Sequence, residues 1–204
     1  LPDFRTLTMT RMLEHVDAWP RDVVLLQRLY YVWFWQGRFP EILQLTSRAL
    51  PAYGDGSFVL GLHAFALEQA DRCREAVSAA ESAMAQNPRD AWAIHALAHA
   101  LYEMAEFDAG VERLPRAIHP CQHLNWFRNH LVWHLALMHL SRGNYARAVG
   151  ISRAAFERAP SAIAGDLHDS IALLWRQDLL GLAVGTRWAP FAAIARQRLD
   201  RQGL

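Results

Sequence analysis

Phe39, Cys73, Phe107 and Tyr145 stand 34, 34 and 38 positions apart. A chain that repeats at such an interval is committed to stacking one supersecondary unit several times. The same steps carry compact residues at Ile42, Ala76, Gly110 and Ala148, and an alanine column at Ala49, Ala83, Ala117 and Ala155. Nine positions before each bulky residue stand Tyr30, Ala64, Ala98 and Ala136. Small side chains belong where two helix axes approach closely, and an irregular bundle would need the alanine column by accident.

Between short Gly, Asn, Pro or Asp breaks the apolar residues recur with helical period, and almost nothing reads as a strand. Helix pairs are expected at 22–36 with 39–51, 57–70 with 73–86, 90–105 with 107–117, 125–142 with 145–158, and 166–182 with 187–202. Thirty-four residues with small residues at the crossings is the tetratricopeptide pattern. The expectation is therefore an all-α chain, a tetratricopeptide-repeat-like right-handed superhelix of about five helix pairs. Residues 1–204 would form a single domain, with an N-terminal extension or helix at 1–21. The four extra residues of the third step fall in an inserted loop at 118–124 (IHPCQHL), and GTRWAPF at 185–191 replaces the usual turn of a degenerate fifth pair. No polar capping helix closes the last pair, and a solenoid normally needs one. A second protein subunit, or a homo-oligomer, is expected to cover the open end.

Composition excludes several classes. The chain is 52% hydrophobic and 20% charged, which is globular. All 21 basic residues are arginine, and 20 acidic residues leave a net charge of +1. That balance gives no reason to expect nucleic acid or an acidic membrane as partner. Cys73 and Cys121 match no thiolate-zinc or disulfide spacing. No secretory signal is legible, and apolar runs such as YYVWFW stop well short of the roughly 20 residues a spanning helix needs. A cytoplasmic location is the expectation.

Within the repeats, residues 90–104 read DAWAIHALAHALYEM and residues 129–138 read NHLVWHLALM. Each holds two histidines four apart, and that spacing sets both imidazoles on one helix face. With Gly143 and Tyr145 in RGNYARA, and with Asp166, Asp169, Trp175, Gly181, Gly185, Arg187 and Trp188 in DLHDSIALLWRQDLLGLAVGTRW, these motifs resemble the tetratricopeptide repeat protein 38 family over about half the chain. The resemblance implies the superhelix and no general activity. It also implies that this stretch corresponds to the middle of a longer family member. The family pattern reads HNxWH at the second histidine pair, where Leu131 here replaces the amide.

In such a superhelix the first helix of each pair lines the concave surface. Trp92, His95, His99, Tyr102 and Glu103 then face inward from the third pair, and His130, Trp133 and His134 from the fourth. Arg28, Tyr31, Phe34 and Trp35, then Phe65 and Glu68, then Asp166, Asp169 and Arg176 would adjoin them. A single histidine is more often structural than functional, and helix-spaced tryptophans are usually core. Four histidines on one face point instead to chemistry. The expected catalytic set is His95, His99, His130, His134 and Glu103; the expected substrate contacts are Trp92, Tyr102, Trp133, Arg28, Tyr31, Phe65, Asp166 and Asp169. Histidine acid–base chemistry on a small anionic metabolite, with displacement or elimination of sulfate or phosphate in specialised metabolism, is the leading reading. No cofactor is expected; zinc is the weaker alternative, since neither pair has HExxH spacing. The alternative from another class is a non-catalytic adaptor that takes a partner protein or peptide in the groove.

Overall fold

The computed structural model describes residues 4–54 and 56–202, which are mostly helical with no strand among them. Eleven α-helices follow in order: α1 Phe4–Ala18, α2 Val23–Trp35, α3 Phe39–Tyr53, α4 Ser57–Gln69, α5 Cys73–Gln86, α6 Ala91–Glu103, α7 Phe107–Ile118, α8 Trp126–Ser141, α9 Tyr145–Ser152, α10 Ala164–Leu179 and α11 Ala189–Gln202. The ten from α2 onward match the five expected pairs to within a few residues, and α1 occupies the N-terminal extension. The stretch expected as an inserted loop begins on a 3-10 turn at His119–Cys121. Among the described residues no helix is long and apolar enough to cross a membrane.

The repeat is written into the backbone as well as the sequence. Gly37, Asp71, Ala105, Gly143 and Gly181 all have positive φ, between 57° and 81°, at steps of 34, 34, 38 and 38 residues. At each of them the same bonds close the preceding helix. The amide one residue later reaches back five residues, from Arg38 to Trp33, Arg72 to Leu67, Glu106 to Leu101, Asn144 to His139 and Leu182 to Gln177, all at 2.8–2.9 Å. The left-handed residue itself bonds three residues back, as in Gly143 to Leu140 at 3.0 Å. These are Schellman caps, which satisfy the last carbonyls of the helix and reverse the chain within three residues. A turn so short makes the two helices antiparallel neighbours.

The chain divides into two compact units, Leu1–Ala100 and Leu101–Leu204. In the first, α1 to α5 pack each on the next. Its core holds Leu26, Leu29, Tyr30, Ile42, Leu62, Ala64, Ala76, Ile94 and Leu97, all essentially inaccessible. The small residues are needed at the crossings: a Cβ on Gly61 would stand 3.0 Å from the Asp90 carboxylate and 3.2 Å from the Ala93 nitrogen. In the second unit Ala136, Leu137, Leu140, Ala148, Phe156 and Leu173 form one cluster, and Leu167, Leu174, Val184 and Phe191 another. There α9 runs into a π-helical turn, Arg153–Glu157, whose Glu157 receives two bonds from Arg187, at 2.8 and 2.5 Å. Burial pushes the Glu157 carboxyl up, but the Arg187 and Ser152 bonds outweigh it and hold it below the usual range. Arg187 also reaches Gln177 at 2.9 Å, so the GTRW segment is tied to α10 and the π turn together.

The turn geometry yields a paired test. A Cβ at Gly143 would meet nothing within 4 Å, so Gly143→Ala isolates the backbone cost of left-handed φ and is expected to lower unfolding free energy by about 1 kcal/mol. Ala105→Gly, at φ 57°, is expected to change it in the opposite direction by a few tenths of that or more. Urea unfolding followed by circular dichroism checks both; equal losses would contradict the assignment of Ala105 to the left-handed position.

Candidate metal centre

Each histidine pair is set by the helix that carries it. Asp90 starts α6, its Oδ1 accepting the Ala93 amide at 3.0 Å. Burial pushes its carboxyl up, against the opposing amides of Ala93 and Trp92 and the Ser57 hydroxyl. One turn on, the Nε2 atoms of His95 and His99 lie 3.0 Å apart. His95 is 6% exposed and rests on Phe65, whose ring centroid is 4.9 Å from its own and 5.1 Å from that of His99. Trp92 meets His95 edge-on at 5.7 Å, and Tyr31 meets Trp92 edge-on at 5.9 Å. Burial also raises the Tyr31 phenol. On the far side of the ring, His99 Nδ1 lies 3.6 Å from Glu68 Oε1, and Glu68 Oε2 accepts from Gln69 at 2.6 Å.

On α8 the Nε2 atoms of His130 and His134 lie 3.2 Å apart. His130 Nδ1 bonds Asp169 Oδ2 at 3.0 Å. Its ring is stacked on Trp133 at 5.5 Å and 11° and on Phe127 at 6.0 Å and 21°. Arg176 covers Trp133 with its guanidinium 5.7 Å from the indole centroid. His134 is 4% exposed and meets Trp133 edge-on at 5.0 Å. Each pair thus has the same construction: a buried imidazole, a half-buried neighbour, and a carboxylate behind the neighbour's Nδ1.

That construction dictates where the lone pairs point. A carboxylate on Nδ1 holds the proton there and leaves Nε2 as the basic nitrogen. One ligand nitrogen from each of His95, His99, His130 and His134 lies within 4.8 Å of all the others. Four neutral imidazoles offer four soft-to-borderline nitrogen donors, a set suited to zinc, copper, nickel or cobalt. Ligands at 2.0–2.1 Å from a tetrahedral ion are about 3.3–3.4 Å apart. The contacts within each pair, 3.0 and 3.2 Å, come close to that.

Of the other expected site residues, Trp92, Phe65 and Tyr31 gather around His95 and His99, and Trp133 and Asp169 around His130. Glu103 is exposed on the last turn of α6 and has no hydrogen bond or ring contact to a histidine; the acid beside His99 is Glu68. Tyr102 packs on Phe107 at 5.5 Å and its hydroxyl accepts from Ser141 at 3.2 Å, so it serves the core. Arg28 is exposed on α2. Asp166 accepts the Asn129 side-chain amide at 3.0 Å. Leu131, where the resembled pattern has an amide, is fully buried in the core. Asn129 and Arg128 were not singled out from sequence; their signal is a place in the first turn of α8, directly ahead of His130. No family model matches the chain.

The carboxylate contact makes a spectroscopic prediction. Long-range proton–nitrogen correlations of the metal-free protein are expected to show neutral His130 protonated at Nδ1, and Asp169→Asn to remove that preference. A wild-type His130 carrying its proton on Nε2 would contradict the arrangement.

Proposed function

We propose that the chain is a tetratricopeptide-type enzyme subunit built around a four-histidine transition-metal centre that acts on a small anionic molecule. The single observation that carries it is the set of four imidazole nitrogens within 4.8 Å. Glu68 and Asp169 behind His99 and His130 support it, since carboxylate–histidine–metal triads are the usual second layer of such sites. Charge agrees: four neutral imidazoles, two carboxylates and one divalent ion sum to zero. The metal reading is preferred to unassisted histidine acid–base catalysis because it uses all four lone pairs at once, where a proton relay needs only two. The five identical Schellman turns support the tetratricopeptide reading of the helix pairs.

His99 and His130 keep 27% and 22% of their side chains exposed, so the donors are approached from solvent on their side. A bound ion would supply Lewis acidity toward an anionic oxygen. The residues of the chain supply the rest: Asp169 and Glu68 orient the rings, Phe65 and Trp133 pack against them, and Arg176 adds a cation over Trp133.

Calorimetric titration of chelator-treated protein with zinc or cobalt is expected to give one ion per chain with sub-micromolar affinity. His99→Ala and His134→Ala should each weaken it at least 100-fold with helical content unchanged. Affinity should also fall on acidification, because the ligands bind only when deprotonated. Binding weaker than 100 μM, or unchanged in both variants, would remove the centre and leave the histidines to acid–base or structural roles.

A further inference from the structure

A polar cleft of about 460 Å³ opens beside His130, lined by Gln122, Leu124, Asn125, Trp126, Arg128, Asn129, Ile163 and Asp166. It holds one guanidinium and one carboxylate, and the two form no ion pair with each other. Arg128 has no carboxylate partner among the described residues; its Nε is shielded from solvent without a hydrogen bond, and its only side-chain bond is a long one, 3.5 Å, to Asn129. Asp166 is 5% exposed and meets no cation among the described residues; Oδ1 is held by Asn129 at 3.0 Å. A buried carboxylate and a half-buried guanidinium that do not satisfy one another leave both free to meet a ligand.

The surroundings fit a small ligand. The cleft lies at the first turn of α8, which has no acidic side chain and whose cap residue Asn125 makes no side-chain bond to the helix, so its amide ends add to the positive end of the cleft. Trp126 is held as one wall by Gly165, where a Cβ would stand 2.7 Å from the indole. Its ring is 6.3 Å from that of His130. A separate cation and anion lining one cleft, with an aromatic face beside them, are complementary to a molecule that carries both charges.

We infer that this cleft binds a small zwitterion of the amino-acid kind, its carboxylate on Arg128 and the amide end of α8 and its ammonium on Asp166. As a binding site the cleft stands without the metal centre. As the place where the substrate of that centre docks, it rests on the function proposed above and specifies the substrate's anionic group as the carboxylate of an amino acid or a close derivative.

The test uses the chelator-treated chain of residues 1–204, so that its result is independent of any metal. Trp126 fluorescence is titrated with a panel of free L-amino acids and, in parallel, with propionate and ethylamine, which carry one charge each. At least one amino acid is expected to bind with a millimolar or lower Kd, at least tenfold tighter than either singly charged probe. Arg128→Gln should weaken that binding at least tenfold while the melting temperature is kept, and Asp166→Asn should do the same. If Asp166→Asn fails to fold, Arg128→Gln alone decides. No binding by any amino acid up to 10 mM, propionate or ethylamine binding as well as the best amino acid, or full affinity in Arg128→Gln would each overturn the inference. Metal binding that persists in that event leaves the centre standing; zwitterion binding without metal binding leaves the cleft standing.

Discussion

The bond from His130 Nδ1 to Asp169, with the looser approach of Glu68 to His99 Nδ1, is the constraint on which the site depends. An imidazole alone can present either nitrogen, and two facing each other settle into a hydrogen bond. At His130 the Asp169 bond favours the proton on Nδ1 and leaves Nε2 facing His134, while at His99 the Glu68 carboxylate stands 3.6 Å from Nδ1. Such a ring stands beside a nearly inaccessible imidazole twice, with Phe65 under one pair and Trp133 stacked on the other.

The helices hold this arrangement because their ends are defined. Each Schellman cap stops a helix at a set residue, and the compact residues at the crossings let the next helix lie close behind it. Asp90 does the same work at the start of α6, where its carboxylate is wedged between Gly61 and the Ala93 amide. The cost is a buried acid with a raised pKa. The gain is that the first turn of α6 is anchored before the chain reaches His95.

The helix pairs were legible from sequence because their determinants are local: period, small residues at crossings, and turn residues at a fixed step. The histidine faces were legible because a four-residue spacing on a helix allows only one outcome. What the sequence did not disclose was tertiary. Glu103 lies four residues after His99 and was expected in the catalytic set, yet the helix carries it out to solvent while Glu68 arrives from α4. Tyr102, beside it, turns to Phe107 and the core of its unit. The repeat frame hides a further feature: His95 and His99 stand ten and six residues before the turn residue Ala105, whereas His130 and His134 stand thirteen and nine before Gly143. The two pairs look like echoes but occupy different turns of their helices, so neither position follows from the other by the repeat. Arg128 and Asn129 were overlooked because nothing local marks a guanidinium as unpaired.

The most direct measurement of the central claim is the X-ray absorption spectrum of the cobalt- or zinc-loaded chain at the metal edge. Four nitrogen neighbours at about 2.0–2.1 Å, with the outer-shell scattering of four imidazole rings, is the predicted result. A first shell of oxygens with two imidazoles or fewer would contradict it.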